Sequence, residues 1–102
     1  MTSPDSTVVD PDGHRVVLEN EHVRILEVRV AEGRELPIHS HPPRAVVAIG
    51  SYRLRAVDSG GDVEVIDRRP GDVGWTEYEE HDVRVLIGPV HAIEVEVKSA
   101  AD

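Results

Sequence analysis

"GRELPIHSH", residues 33–41, places two histidines, His39 and His41, two positions apart in a strand-like stretch of sequence. Side chains at positions i and i+2 of a strand point to the same face, so the two imidazoles project together. A transition metal needs neutral imidazoles that converge on it and further ligands from elsewhere in the chain. The pair is therefore either part of a metal site or two solvated side chains at an exposed strand end.

His81 is the histidine with the strongest claim to join this pair. It opens the run "HDVRV", in which it shares a face with Val83 and Val85. If that face is directed inward, the imidazole needs a partner, which a metal or a hydrogen bond supplies. The remaining histidines, which have weaker claims, are His14, His22 and His91.

The rest of the chain consists of short β-branched runs separated by turns. "RVVLEN" and "HVRILEVRV" are split by an acidic break, and "DSGGD" is a strong hairpin signal because glycine tolerates positive φ. The last run alternates most clearly, with Ile93, Val95 and Val97 on one face and Glu94, Glu96 and Lys98 on the other. Because apolar residues nowhere keep a helical spacing, we predict an all-β sandwich or barrel of seven to nine strands.

Length and composition agree with one small β domain. The chain has 102 residues and is 39% hydrophobic, with no Phe, one Trp and two Tyr. Its core must therefore be built from Val, Ile, Leu and Ala, a composition that favours strands. Residues 1–13 are rich in Pro, Ser, Asp and Thr and predict a flexible N-terminal arm. Residues 14–98 form the predicted single domain.

The net charge of −9 disfavours nucleic acid and anionic membranes as partners. The chain has no cysteine, which rules out disulfides, zinc–thiolate sites and a thiol nucleophile. No apolar run approaches the roughly 20 residues that span a bilayer, and the N-terminus lacks the basic start and apolar centre of a signal peptide. We therefore expect a cytoplasmic protein with a small-molecule ligand.

The order of these features resembles a small single-domain cupin, over Glu19 to Lys98. The first cupin motif begins with Gly, five residues and His-x-His, and Gly33 followed by His39-Ser40-His41 matches that half. The second motif is similar to the stretch that "GDVGW" opens at Gly71, with His81 one residue nearer than the usual spacing. The resemblance implies a jelly-roll β-barrel in which the two motifs face each other across the interior.

The resemblance also implies the metal ligands. Three of the four carry over, as His39, His41 and His81, whereas Ala45 and Val46 stand where the motif has its glutamate. Three imidazoles suit Fe(II), Ni(II) or Zn(II) better than Mn(II), which favours oxygen donors. The replacements that we consider for the missing carboxylate are Glu77, Glu79 and Glu80, which lie in a predicted loop where solvation is favoured.

The sequence offers four further candidates for the pocket: Arg44, Val46, Tyr52 and Trp75. Arg44 either binds a substrate carboxylate as a fork or is a solvated surface arginine. Tyr52 is either a proton donor near the metal or a residue of the rim. Trp75 either walls the pocket or, as the chain's single Trp, fills the core, which we favour.

These residues predict a metal-binding protein of unknown substrate. A three-histidine iron site would suit a dioxygenase, and a zinc or nickel site an isomerase or a lyase. The alternatives are a non-catalytic module that binds a small molecule or metal, and a structural dimer with a vestigial pocket. We expect a homodimer in any of these cases, since a small antiparallel barrel has edge strands to protect.

Overall fold

The computed structural model describes residues 3–99 of the chain. Over these residues the chain forms one short helix and nine strands. They are α1 (Ser6–Val9), β1 (His14–Glu19), β2 (Val23–Val30), β3 (Glu35–His41), β4 (Arg44–Ala48), β5 (Tyr52–Asp58), β6 (Val63–Arg68), β7 (Val73–Thr76), β8 (Glu79–Ile87) and β9 (Val90–Val97). In the part of the chain so described, no helix is long and apolar enough to cross a membrane.

The strands form two antiparallel sheets, in the orders β1-β2-β9-β4-β7 and β3-β8-β5-β6. Leu26 and Val28 from the first sheet pack in one buried cluster with Leu36, Tyr52 and Val85 from the second. The inner faces of the two sheets therefore enclose a common core made almost entirely of aliphatic side chains. The prediction of an all-β jelly-roll barrel is confirmed.

Strand β9 occupies the centre of the five-stranded sheet, and its inner face is unexpectedly acidic. The alternation along it is as predicted, but Ala92, Glu94 and Glu96 are the buried members, whereas Ile93 and Val95 are only half-buried. Glu96 accepts a hydrogen bond from Arg24 Nε at 2.5 Å, so its charge is paired within the protein. The carboxylates thus line the interior of the barrel.

Residues 3–13 pack against the barrel, which corrects the prediction of a flexible arm over this range. The amide of Ser40 donates to the carbonyl of Pro4 at 2.8 Å, and Asp5 forms a parallel bridge with Ser40. Ser6 and Asp10 are buried. The segment thereby covers the free edge of β3, an edge strand with unpaired backbone groups. Residues 1 and 2 of the predicted arm lie outside the described residues.

Candidate metal centre

The three predicted ligands come from one pair of neighbouring strands. In the antiparallel pair β3–β8, His39 lies directly opposite His81, and His41 follows two positions later on the same face. The register shifts between Leu36 and His39, where two residues of β3 stand against one of β8. Leu36 and His39 are three positions apart, so simple alternation would put them on opposite faces. The extra residue of the bulge brings both side chains to the inner face.

The three imidazoles form a nearly equilateral triangle. Their ring centroids are 4.8 Å (His39–His41), 4.9 Å (His39–His81) and 5.0 Å (His41–His81) apart. All three side chains are buried, and one nitrogen from each lies within 4.8 Å of the others. The structure therefore brings together all three histidines that the sequence singled out.

An acceptor oxygen lies close to Nδ1 in two of these rings. His39 Nδ1 lies 2.8 Å from the carbonyl oxygen of Pro37, and His81 Nδ1 lies 2.6 Å from a carboxylate oxygen of Glu79. Since both partners are acceptors, Nδ1 is the donor in each ring and Nε2 keeps its lone pair. An imidazole held in this way is ready to bind a metal through Nε2.

Burial keeps His39 and His41 neutral, which is the state that a metal requires. Desolvation lowers the pKa of His39 to about 4, in spite of its hydrogen bond to Pro37. Burial likewise lowers the pKa of His41 far below its ordinary value, and the nearby Arg44 acts in the same direction. Three buried and convergent nitrogen donors fit a divalent transition metal.

Glu79, like Glu80, lies in β8 and not in the loop where the sequence predicted both. Burial raises its pKa, but the hydrogen bond to His81 and the charge of Arg44 outweigh that effect, so the pKa is lowered. Glu80 is half-buried and accepts from the amide of Ser3 at 3.2 Å, and Glu77 is exposed. Of the three replacements considered for the missing glutamate, Glu79 alone contacts a histidine of the triad, and it does so at Nδ1.

Arg44 is buried and already engaged with protein groups. Its Nε lies 3.3 Å from Glu94 Oε1, its Nη1 lies 3.8 Å from Glu79 Oε2, and Nη1 donates to Thr76 Oγ1 at 3.0 Å. These carboxylates neutralise the guanidinium charge inside the barrel. Of the two alternatives for Arg44, the solvated surface arginine is wrong because the side chain is buried, and its guanidinium lies against the protein's own groups.

The triad opens into an internal cavity of about 100 Å³. Arg44, Val46 and Tyr52 line it, as the sequence suggested for pocket residues. Tyr52 is buried, and this burial raises the pKa of its phenol. The other walls are mostly aliphatic side chains from both sheets: Val28, Val30, Leu36, Leu54, Ile66, Val83, Val85, Val90 and Ala92. The cavity therefore combines aliphatic walls with polar groups, among them the triad and, on β6, Glu64 and Arg68.

Trp75 belongs neither to this cavity nor to the core, which corrects the sequence interpretation. Its side chain is 54% exposed, and its indole nitrogen donates to the carboxylate of Glu77. It lies on β7, the edge strand beyond β4, where Gly74 and Thr76 take the inner positions. The alternation of the strand therefore turns Trp75 to the outer surface.

His14 lines the cavity, although the sequence gave it a weak claim. It is buried, and its ring centroid lies 6.2 Å from those of both His39 and His41. Its Nδ1 lies 3.3 Å from Asp10 Oδ2, and Asp10 in turn binds Arg34 at 3.0 Å. His14 is the only buried residue of β1, so no alternation marked it in the sequence.

The other two histidines lie away from the triad. The side chain of His22 is 78% exposed. His91 Nε2 lies 3.0 Å from Glu27 on the outer face of the five-stranded sheet. Their weak claims as ligands agree with these positions.

No protein-family model matches the chain, and no curated protein does. Among solved structures, a cupin domain from Bordetella pertussis Tohama I is 24% identical, covers 97% of this chain and 99% of its own, and superposes with a TM-score of 0.74. An RmlC-like cupin from Desulfovibrio desulfuricans is also 24% identical, with 86% of each chain covered and a TM-score of 0.57. A variant of the oxalate decarboxylase from B. subtilis is 21% identical over 87% of this chain but 25% of its own, with a TM-score of 0.62.

The fold is that of a small cupin-type domain. At these levels of identity the likeness establishes the architecture, and the site has to be judged from its own residues. The buried group of His39, His41 and His81 fits a metal-binding member of this fold class.

Proposed function

We propose that this protein binds one divalent transition metal through His39, His41 and His81 and uses it to act on a small molecule held in the barrel. The observation that carries this proposal is the convergence of three buried imidazoles on one point. The acceptor oxygens beside Nδ1 of His39 and His81 support it, because they leave Nε2 as the lone-pair donor in both rings. A metal bound there would polarise a substrate oxygen or bind a reactant at its open positions.

The donor set favours Fe(II), Ni(II) or Zn(II) over Mn(II). All three donors of the triad are nitrogens, which suit these metals, whereas manganese favours carboxylate and water oxygens. The cavity of about 100 Å³ would admit a small molecule with a polar group toward the histidines and a short apolar part among the valines. A dioxygenase, an isomerase and a lyase are the reaction classes that such a centre would serve.

Metal analysis tests the site directly. Protein purified without a histidine tag or chelator is expected to contain or take up about one Fe, Ni or Zn ion per chain. The variant His81→Ala should lose this uptake, and His22→Ala, which changes an exposed histidine, should keep it. Wild-type protein that takes up none of the three metals would contradict the proposal.

We also propose that the chain forms a homodimer through the edge of its five-stranded sheet. Strand β1 is an edge strand, and Val16, Val17 and Leu18 on it are 41%, 46% and 48% exposed. Pairing two such edges across a two-fold axis would cover both. Light scattering coupled to gel filtration should give twice the monomer mass, and Val17→Glu should shift it toward the monomer; a wild-type monomer would exclude this arrangement.

A further inference from the structure

The ring nitrogen His41 Nδ1 lacks the close acceptor oxygen that the other two histidines of the triad have. His39 and His81 place Nδ1 on Pro37 and Glu79. His41 Nδ1 is fully buried and has no hydrogen-bond partner in the part of the chain described. A buried polar atom without a partner costs free energy, so this nitrogen calls for an explanation.

A carboxylate oxygen without a hydrogen bond lies beside it. Glu94 Oε1 is 3.7 Å from His41 Nδ1, is buried, and likewise has no hydrogen-bond partner among the described residues. Arg44 Nε is 3.3 Å away but is not aligned to donate to it. A movement of less than about an ångström would bring the two atoms to the 2.7–2.9 Å of a charge-assisted hydrogen bond.

Glu94 does not belong to the group of potential ligand atoms that His39 and His81 form with His41. Among residues 3–99, two sets of three potential ligand atoms lie within 4.8 Å of one another: His39, His41 and His81, and His41, Glu94 and Glu96. His41 is the member that the two sets share. Because the two nitrogens of an imidazole point in different directions, one ring can face the triad through Nε2 and Glu94 through Nδ1.

The second set is not itself a cation site. Arg24 Nε already binds Glu96 at 2.5 Å, and Arg44 lies against Glu94. These guanidinium groups supply the positive charge that the two carboxylates require. A further cation there would have to displace them.

We infer that Glu94 is the positioning residue for His41, holding its Nδ1 as Pro37 holds that of His39 and Glu79 that of His81. The register supports this role, because Glu94 pairs directly with Val46, one of the two positions that lack the cupin glutamate. Strand β9 thus places a carboxylate beside the candidate centre, but this carboxylate is not one of the three proposed ligands. This inference rests on the proposed metal site and assigns one residue a role in it.

Titration of metal-free protein with Co²⁺ tests this role. Loss of a carboxylate behind a ligating histidine typically costs 10–100-fold in metal affinity. We expect a loss in this range for Glu94→Ala and a smaller loss for Glu94→Gln, whose amide oxygen still accepts from Nδ1. At saturation the absorption spectrum of bound Co²⁺ should be the same in Glu94→Gln and wild type, because the three nitrogen donors are unchanged.

Glu35→Gln is the matched control, since it removes an exposed carboxylate from β3 and should leave affinity unchanged. Equal affinities in wild type and both Glu94 variants would overturn the positioning role. So would a Co²⁺ spectrum that changes in Glu94→Gln, because it would make Glu94 a ligand. Failure of the wild type to bind Co²⁺ would instead remove the metal site itself, which separates the two proposals.

Discussion

Three features of strands β3 and β8 bring His39, His41 and His81 together. Alternation along β3 puts His39 and His41 on one face, and the antiparallel register puts His81 directly opposite His39. The bulge after Leu36 keeps the apolar and the histidine positions on the same inner face. The first feature is visible in the sequence, whereas the other two depend on how β3 and β8 pair.

At Gly13 we predict that a single methyl group is destabilising. A Cβ there would lie 2.8 Å from the carbonyl oxygen of Arg29 and would collide with the carboxylate of Asp10, the partner of His14. Gly13→Ala should lower the free energy of unfolding by roughly 1–3 kcal/mol, as overpacking does. Urea denaturation measures this loss.

Gly50→Ala is the matched control, because the nearest atom to its Cβ would be 3.9 Å away. This variant should unfold at nearly the wild-type urea concentration. Equal stability of Gly13→Ala and wild type would mean that the segment carrying Asp10 moves freely to make room.

Glu27 is predicted to stabilise the fold in a pH-dependent manner. The hydrogen bond from Arg15, followed by that from His91, lowers the pKa of Glu27 from 4.5 to about 2. Because the folded pKa is the lower one, this stabilisation is present above about pH 4.5 and is lost as the pH falls toward 2. The difference in Tm between wild type and Glu27→Gln should therefore shrink over this interval, and a difference that stays constant down to pH 2 would contradict the assignment.

At the scale of the elements, the N-terminal segment packs on the barrel although its composition predicts a flexible arm. Its Pro, Ser and Asp residues are typical of a loose arm, but here they make specific contacts. Asp5 accepts from the amide of Thr7 at the start of α1 and from Arg24 at 2.9 and 3.0 Å. Polar side chains can form hydrogen bonds with the backbone at a helix end or a strand edge, or they can be solvated in a flexible tail. Composition alone therefore does not distinguish the two cases.

We predict that Asp5→Ala destabilises the protein by about 1–2 kcal/mol, the usual cost of losing a helix N-cap. Asp5→Asn should be intermediate, because its amide oxygen still caps α1 while the charge opposite Arg24 is lost. Thermal unfolding of the three proteins measures the order. An alanine variant as stable as wild type would contradict the stabilising role of the Asp5 side chain.

At the scale of the whole molecule, the barrel places a polar centre inside an aliphatic core. A metal that binds the folded state alone stabilises it by RT ln(1 + [L]/Kd), about 2.7 kcal/mol at a free concentration of about 100 times Kd. Zn²⁺ should accordingly raise the Tm of wild type and of His22→Ala, and a chelator should reverse the shift. His39→Ala should show no such shift; if it responds as the wild type does, Zn²⁺ binds elsewhere.

The sequence by itself determined the fold class and the three histidines of the candidate centre. Strand alternation, turn residues and His-x-His spacing are local properties of the chain. They can be read without knowing which strands pair with one another. The alternation also predicted correctly the two faces of β9, with Ile93 and Val95 on one and Glu94 and Glu96 on the other.

Only the tertiary structure decided which of those faces points inward. A period of two separates the faces of a strand, but the sheet on either side determines which one is buried. Arg24 and Arg44 lie beside the inner face of β9 and pair with its carboxylates, so the acidic face is the buried one. Glu94 behind His41, His14 beside the triad and Trp75 on the outer surface all follow from such choices of face, which no short stretch of this sequence contains.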